Sequence, residues 1–229
     1  MNNHTLVLSV GGSIVVPNGE INVAFLKDFK KTIVSQAKKG WNFVVVVGGG
    51  GTCRTYQRAA KEVTKVAPED HDWLGIHATR LNGHLIRTVF RDIAHPEMYT
   101  HPDDVPKRFK EHVVVAAGWK PGWSTDYVAT KIAKRIGAKM VLNLSNTDYL
   151  YTADPRKDAT ATPIENISWK DFRKMVGDKW DPGMNVPFDP VASRLAQGAK
   201  IQAVLLNGTN LKNLNALIDG KTFVGTVVG

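Results

Sequence analysis

The chain has 229 residues, 43% of them apolar, enough to bury a full core as a single α/β domain over 1–229, and no apolar run approaches the ~18 residues that cross a membrane. Its start, Met1-Asn2-Asn3-His4, lacks the basic and apolar regions of a signal peptide, so a cytoplasmic location is expected; the single cysteine, Cys53, excludes an internal disulfide and a cysteine-rich metal site. Lys and Arg outnumber Asp and Glu by 30 to 21, a net charge of +9, but the basic residues are scattered without an aromatic-interleaved RNA signature, and the surplus fits an anionic small-molecule substrate rather than nucleic acid.

Taken in chain order, Leu6-Val7-Leu8-Ser9-Val10 reads as a strand emptying into Gly11-Gly12-Ser13. Ile21, Phe25, Phe29, Ile33 and Ala37 then recur every four residues, the apolar stripe of an amphipathic helix. The β-branched run over 42–47 is a second strand, and it meets four glycines, 48 to 51, before a helix over 52–63 that uses Tyr56, Ala59, Ala60 and Val63 as its apolar side. Another helix is expected over 73–93, an irregular surface stretch with room for one short strand over 97–110, a strand over 112–117, a helix over 124–136 and a strand over 140–144. Residues 145–164 are turn-rich, Ser168 reads as the N-cap of a short helix ending near Gly177, and 179–190, with three prolines, reads as a mobile loop. A helix over 191–199, a strand over 201–206, a helix over 211–218 and a strand over 222–228 complete the pattern. Continuous apolar strands alternating with helices predict one open, mostly parallel sheet covered on both faces.

Three segments share one plan: strand, glycine-bearing loop, helix start. Gly11, Gly12 and Ser13 can offer backbone N–H groups and a hydroxyl to phosphate oxygens. Gly49 and Gly50 can do the same, with the Arg54 guanidinium in the following turn suited to bidentate phosphate pairing. The third loop, Pro121-Gly122-Trp123-Ser124-Thr125-Asp126, sets two hydroxyls and a carboxylate at a helix start, which is also what simple capping needs. Tyr151 could offer a flat face to a nucleobase and Asp154 could accept from a ribose hydroxyl. Cys53 beside the second loop reads as a small buried residue. His77, Arg80, His84 and Arg87 share a helix face, but His77 and His84 lie about 10 Å apart, too far for one metal, so a solvated or subunit-facing stripe is expected, and no protein-borne metal site.

In this order the segments resemble the amino acid kinase superfamily, most closely its uridylate (UMP) kinase branch of archaeal type, over essentially the whole chain. The most specific pieces are Val47-Gly48-Gly49-Gly50, the run from Asp72 to Asn82, the Pro121-to-Asp126 loop, and Tyr151-Thr152-Ala153-Asp154-Pro155. The resemblance implies a three-layer α/β/α sandwich, a hexamer built as a trimer of dimers, and transfer of a phosphoryl group from ATP to UMP with Mg2+. It assigns Gly12, Ser13, Gly50 and Arg54 to the ATP phosphates and Ser145, Asn146, Tyr151 and Asp154 to the ATP nucleoside. It assigns Gly49 and Asp72 to UMP, together with Trp119, Lys120, Pro121, Gly122, Trp123, Ser124 and Thr125. Asp126 would organise the groups around the transferring phosphoryl. This chain departs from the pattern at Ser9, where many members carry a lysine; at Trp119-Lys120; at Tyr149, where a loop glycine is usual; and over 179–190. With Ser9 uncharged, Lys120 is the nearest motif-borne cation and the expected substitute, alongside Arg54. Two rivals follow: a sister kinase with another acceptor, and a non-catalytic nucleotide- or oxyanion-binding protein related to the molybdenum storage proteins.

Overall fold

Successive residues of the two central strands feed two separate cores. In the computed structural model, which describes residues 4–155, 157–177 and 186–229, β1 (Thr5–Val10) sends Leu8 and Val10 to one face and Val7 to the other. After the single turn α1 (Gly12–Val15) and the helix α2 (Val23–Lys38) comes β2 (Asn42–Val47), which sends Phe43, Val45 and Val47 to the first face and Val44 and Val46 to the second. Side chains alternate across a strand, so an unbroken apolar run is stable only where both faces are covered.

The chain continues through α3 (Gly50–Val63), α4 (Pro68–Val89), β3 (Ala94–Tyr99), β4 (Val113–Ala116), α5 (Thr125–Ile136) and β5 (Met140–Ser145). The hairpin of β6 (Leu150–Tyr151) and β7 (Pro163–Ile164) follows, then β8 (Asn166–Ile167), α6 (Trp169–Val176), α7 (Pro190–Ala199), β9 (Gln202–Asn207), α8 (Leu211–Ile218) and β10 (Thr226–Val228). Among the described residues one eight-stranded sheet runs β3-β4-β2-β1-β5-β9-β10-β8, parallel except where β10 pairs with β9. The first core packs α2, α4 and α8 against the sheet through Phe29, Ile86 and Leu214; the second packs α5, α6 and α7 through Ile132, Phe172 and Ala192. Phe29 stacks on Phe25 at 5.3 Å and meets Phe90 edge-on at 5.6 Å, burying an aromatic anchor worth about 1.5–3 kcal/mol. The three-layer α/β/α architecture expected from the sequence is therefore the one observed.

One local expectation is corrected and others are refined. The helix over α3 forms, but Tyr56 and Val63 are 61% and 86% exposed, so its supposed apolar side does not face the core. It is seated instead through the buried Gly51 and beside α4. The short strand allowed for within 97–110 is the end of β3 (Ala94–Tyr99), which begins three residues earlier and is an edge strand in which Pro96 is tolerated because only one side pairs. The turn-rich stretch contains the β6–β7 hairpin, with Leu150 opposite Ile164. Of the expected mobile loop over 179–190, positions 179–185 lie outside the described residues, while Phe188 is buried and Asp189 caps α7. Among the described residues no helix is long and apolar enough to cross a membrane.

Candidate active site

The carboxyl end of β1 is where the sheet order turns back, with β2 on one side and β5 on the other, and a crevice opens at such a point. Two clefts occupy it. The first, about 590 Å³, is lined by polar groups from the strand ends (Ser9, Gly12, Asn143, Ser145, Asn146) and by Tyr149, Tyr151, Asp154 and Met175. The second, about 510 Å³, is lined by Gly49, Gly50, Arg54, Gln57, Asp72, Trp123 and Ser124. Thr125, Asp126 and Val186 line both, so Asp126 stands on the wall that the clefts share.

Glycine is required at this junction because two backbones touch. A Cβ on Gly48 would stand 2.6 Å from the Gly12 nitrogen, and one on Gly50 would stand 2.6 Å from the Gly12 carbonyl carbon; Gly50 also has φ +59°. The loop is braced from α4: buried Asn82 donates its amide to the carbonyls of Gly48 (2.8 Å) and Gly49 (3.1 Å). Two more α4 side chains pin the third loop. Thr79 Oγ1 accepts from the Gly118 amide at 2.8 Å, and Arg80 donates to the carbonyls of Gly118 and Trp119 at 3.3 and 2.9 Å. Arg80 thus leaves the solvated stripe expected of it. Asp72, near the start of the same helix, accepts from the Gly122 amide at 2.8 Å, holding a turn in which Gly122 has φ +85°.

Asp126 sits in the first turn of α5, behind the Ser124 cap. Its Oδ1 accepts from Ser9 Oγ at 2.7 Å and Asn143 Nδ2 at 3.0 Å, and its Oδ2 from the Asp189 amide at 3.4 Å. Among the described residues these partners are all neutral. Burial pushes its pKa up to about 6; the Ser9 hydrogen bond opposes that rise, and the nearby Asp189 carboxylate adds to it. Asp189 is itself raised by burial, while one of its oxygens caps α7 through the Ala192 amide at 2.5 Å.

The sequence-derived residues divide between the clefts unevenly. Gly12, Ser145, Asn146, Tyr151 and Asp154 line the first, as grouped; Gly49, Asp72, Trp123, Ser124 and Thr125 line the second, as grouped. Gly50 and Arg54, expected with the first group, line the second cleft instead, because the helix they begin follows β2 rather than β1. Arg54 reaches back to donate to Ser13 Oγ at 3.2 Å and to the Pro17 carbonyl at 2.7 Å, and Ser13 itself lines neither cleft. Trp119, Lys120, Pro121 and Gly122 also line neither. The Lys120 ammonium sits 4.4 Å over the Trp119 ring in a cation–π contact, whereas a substitute for lysine at position 9 was expected of it. Cys53 is half-buried and lines the second cleft, its thiol pushed up mainly by burial.

Sequence reasoning did not single out Asn82, Thr79, Asn143, Gln57 or Asp189. A signal for one of them was present: Asn143, like Ser9, is a polar residue inside an otherwise apolar buried strand, which is expected only where a partner waits. Among the described residues no group of three or more His, Cys, Asp or Glu side chains could hold a metal ion unaided.

Residues 4–207 match the amino acid kinase family. The uridylate kinase of Methanocorpusculum labreanum is 32% identical, covering 98% of this chain and 95% of its own. That of Archaeoglobus fulgidus is 34% identical, covering 97% and 99%. The crystal structure of uridylate kinase from Archaeoglobus fulgidus superposes with a TM-score of 0.82 at 31% identity, covering 98% of this chain and 99% of that one.

Proposed function

The chain belongs to the amino acid kinase family, and from that premise we propose that it is a UMP kinase, a phosphotransferase that moves the terminal phosphoryl group of ATP to UMP. The observation that carries the reading is the pair of clefts sharing one wall at Asp126. Two phosphate-bearing ligands placed on either side of that wall would have their terminal groups adjacent, which is what in-line transfer requires.

The first cleft takes ATP, its phosphates over Gly12 and its base among the residues around Tyr151. The second takes UMP, its phosphate toward Gly49, Gly50 and Arg54 and its ribose toward Asp72. The UMP phosphate is already an anionic nucleophile, so no general base is needed. The chain's contribution is positioning and charge: glycine loops too tight for any Cβ hold the backbone, Asn82 fixes it, and Arg54 offers a fork suited to phosphate. Magnesium fits the donor set, since Mg2+ is commonly held by one or two carboxylates plus phosphate oxygens, and among the described residues Asp126 meets neutral donors. When bound, Mg2+ supplies neutralisation of phosphate charge that no lysine at position 9 provides. Asp126 is the residue that would hold it.

The same proposal includes one domain over the chain, a cytoplasmic site of action, no nucleic acid or membrane partner, and a homo-oligomer, a hexamer as a trimer of dimers. Exposed Tyr56 and Val63 on α3 support a protein partner on that face. One observation favours a second reading. With Ser9 in place, no cation among the described residues pairs with Asp126 on the wall, as a non-catalytic nucleotide- or oxyanion-binding protein would allow.

Thermal shift separates the two. A ligand at about a hundred times its Kd stabilises by roughly 2.7 kcal/mol, or several degrees in a chain of this length. UMP alone and a non-hydrolysable ATP analogue alone should each raise Tm, and saturating UMP should leave the analogue's shift in place. Mutual exclusion, or a shift with molybdate and none with UMP, would favour the second reading.

A further inference from the structure

Tyr149 has no part in the phosphoryl chemistry, yet it lines the first cleft beside Tyr151, and the two rings meet edge to face, centroids 6.3 Å apart at 89°. The backbone on either side of it is pinned. The Leu150 amide donates to the buried Thr226 hydroxyl at 2.8 Å, and Asn207 donates to the Asp148 carboxylate at 3.1 Å. Leu150 pairs with Ile164 and Tyr151 with Pro163 in the hairpin. A ring carried on so anchored a backbone loses little further freedom when a flat ligand lies on it.

The lining of the cleft is chemically divided. Ser9, Asp126 and Asn143 are joined by hydrogen bonds, whereas the two tyrosines share the cleft with apolar Leu150, Met175 and Pro187. A ligand with anionic oxygens at one end and an aromatic heterocycle at the other matches that division. Two rings at right angles form a corner, and a corner measures the extent of a flat ligand better than a single face does.

We propose that Tyr149 is a specificity-determining residue of the first cleft, packing with Tyr151 against the heterocycle of a purine nucleoside triphosphate. The inference rests on the reading of this cleft as the donor site. A flat heterocycle that stacks on one ring meets the other with its edge, and a two-ring purine is long enough to make both contacts where a one-ring pyrimidine makes one. Tyr149 meets the ligand through its aromatic ring, so it senses ring area and not the number of phosphates.

The test is calorimetric binding of three probes, a non-hydrolysable ATP analogue, the corresponding UTP analogue and inorganic tripolyphosphate, to the full chain and to Tyr149→Ala and Tyr149→Phe. Base–aromatic stacking measured by alanine substitution corresponds to roughly a five- to 150-fold change in affinity, so Tyr149→Ala should lose at least fivefold for the ATP analogue. It should lose less for the UTP analogue and nothing for tripolyphosphate, and Tyr149→Phe should restore the ATP analogue's affinity. UMP affinity should be unmoved throughout. An unchanged ATP-analogue affinity in Tyr149→Ala, or an equal loss for tripolyphosphate, overturns the proposal while leaving the donor cleft standing. A parent chain that binds no nucleoside triphosphate overturns both.

Discussion

Ser9 Oγ donates a 2.7 Å hydrogen bond to Asp126 Oδ1 across 117 residues of sequence, joining the end of β1 to the start of α5 at the wall between the two clefts. The resemblance leads one to expect an ammonium at this position, and the chain has a hydroxyl. A neutral donor holds the carboxylate in place without cancelling its charge, and that one difference sets the electrostatics of the site.

Asp126→Asn should change the pH dependence of stability in metal-free buffer. The folded pKa is raised from 3.8 to about 6, so the native state binds more protons than the unfolded chain between those values. The stability this group contributes is fully present below about 3.8 and is lost as pH rises through about 6, an effect on the order of 3 kcal/mol. The asparagine variant cannot ionise. Its Tm relative to the parent should therefore improve by several degrees between pH 4 and pH 7.5, read by differential scanning calorimetry; a pH-independent difference would show that Asp126 is not raised.

Ser9→Ala removes the hydrogen bond that opposes the rise at Asp126, so the acid limb of the kcat–pH profile should move to higher pH. A hydrogen bond to a charged group is worth roughly 1.5–3 kcal/mol, about one to two pH units. Ser9→Lys should move the limb the other way. A limb that both variants leave in place would detach Ser9 from the titration.

Asn82→Leu keeps the volume but leaves the Gly48 and Gly49 carbonyls without their donor. The expected cost is about 1–3 kcal/mol in urea unfolding, with weakened binding of both nucleotides because the glycine loop borders both clefts. Weakening of one nucleotide alone would contradict the brace.

Much of this architecture was legible in the chain. The unbroken run from Phe43 to Val47 could only be a doubly buried strand, and Ser124 and Ser168 announce their helices by capping them. The fold class, α/β with a mostly parallel sheet, followed from that alternation. What was not legible depended on partners distant in sequence. Tyr56 and Val63 look like a core stripe by spacing, yet the stripe faces solvent. Arg54 follows the glycines in sequence, but which cleft it enters is fixed by the position of β2 in the sheet. Lys120 reads from the sequence as a cation of the third loop, and its contact with the Trp119 ring is visible only in the structure.

That last pair makes a prediction. Lys120→Ala should change kcat by no more than about twofold, since its ammonium lines neither cleft. Arg54→Lys should raise KM for UMP more than KM for ATP, because the bidentate fork is lost on the side of the second cleft. Steady-state kinetics with each substrate varied in turn gives both answers, and a large fall in kcat for Lys120→Ala would mean that the lysine leaves Trp119 during turnover.

Asp72→Asn should weaken UMP binding by about tenfold or more and leave the ATP analogue nearly untouched, since a charged acceptor becomes a neutral one in the second cleft alone. Equal losses in calorimetry would point instead to collapse of the turn that Asp72 holds at Gly122.

The most direct measurement is product formation, with Mg-ATP and a panel of acceptors (UMP, CMP, AMP, GMP and acetylglutamate) followed by phosphorus NMR. UDP and ADP should appear in equal amounts with UMP, faster than the products of any other acceptor. No ADP above the acceptor-free background with any of them would contradict the assignment of the two clefts to a phosphoryl donor and its acceptor.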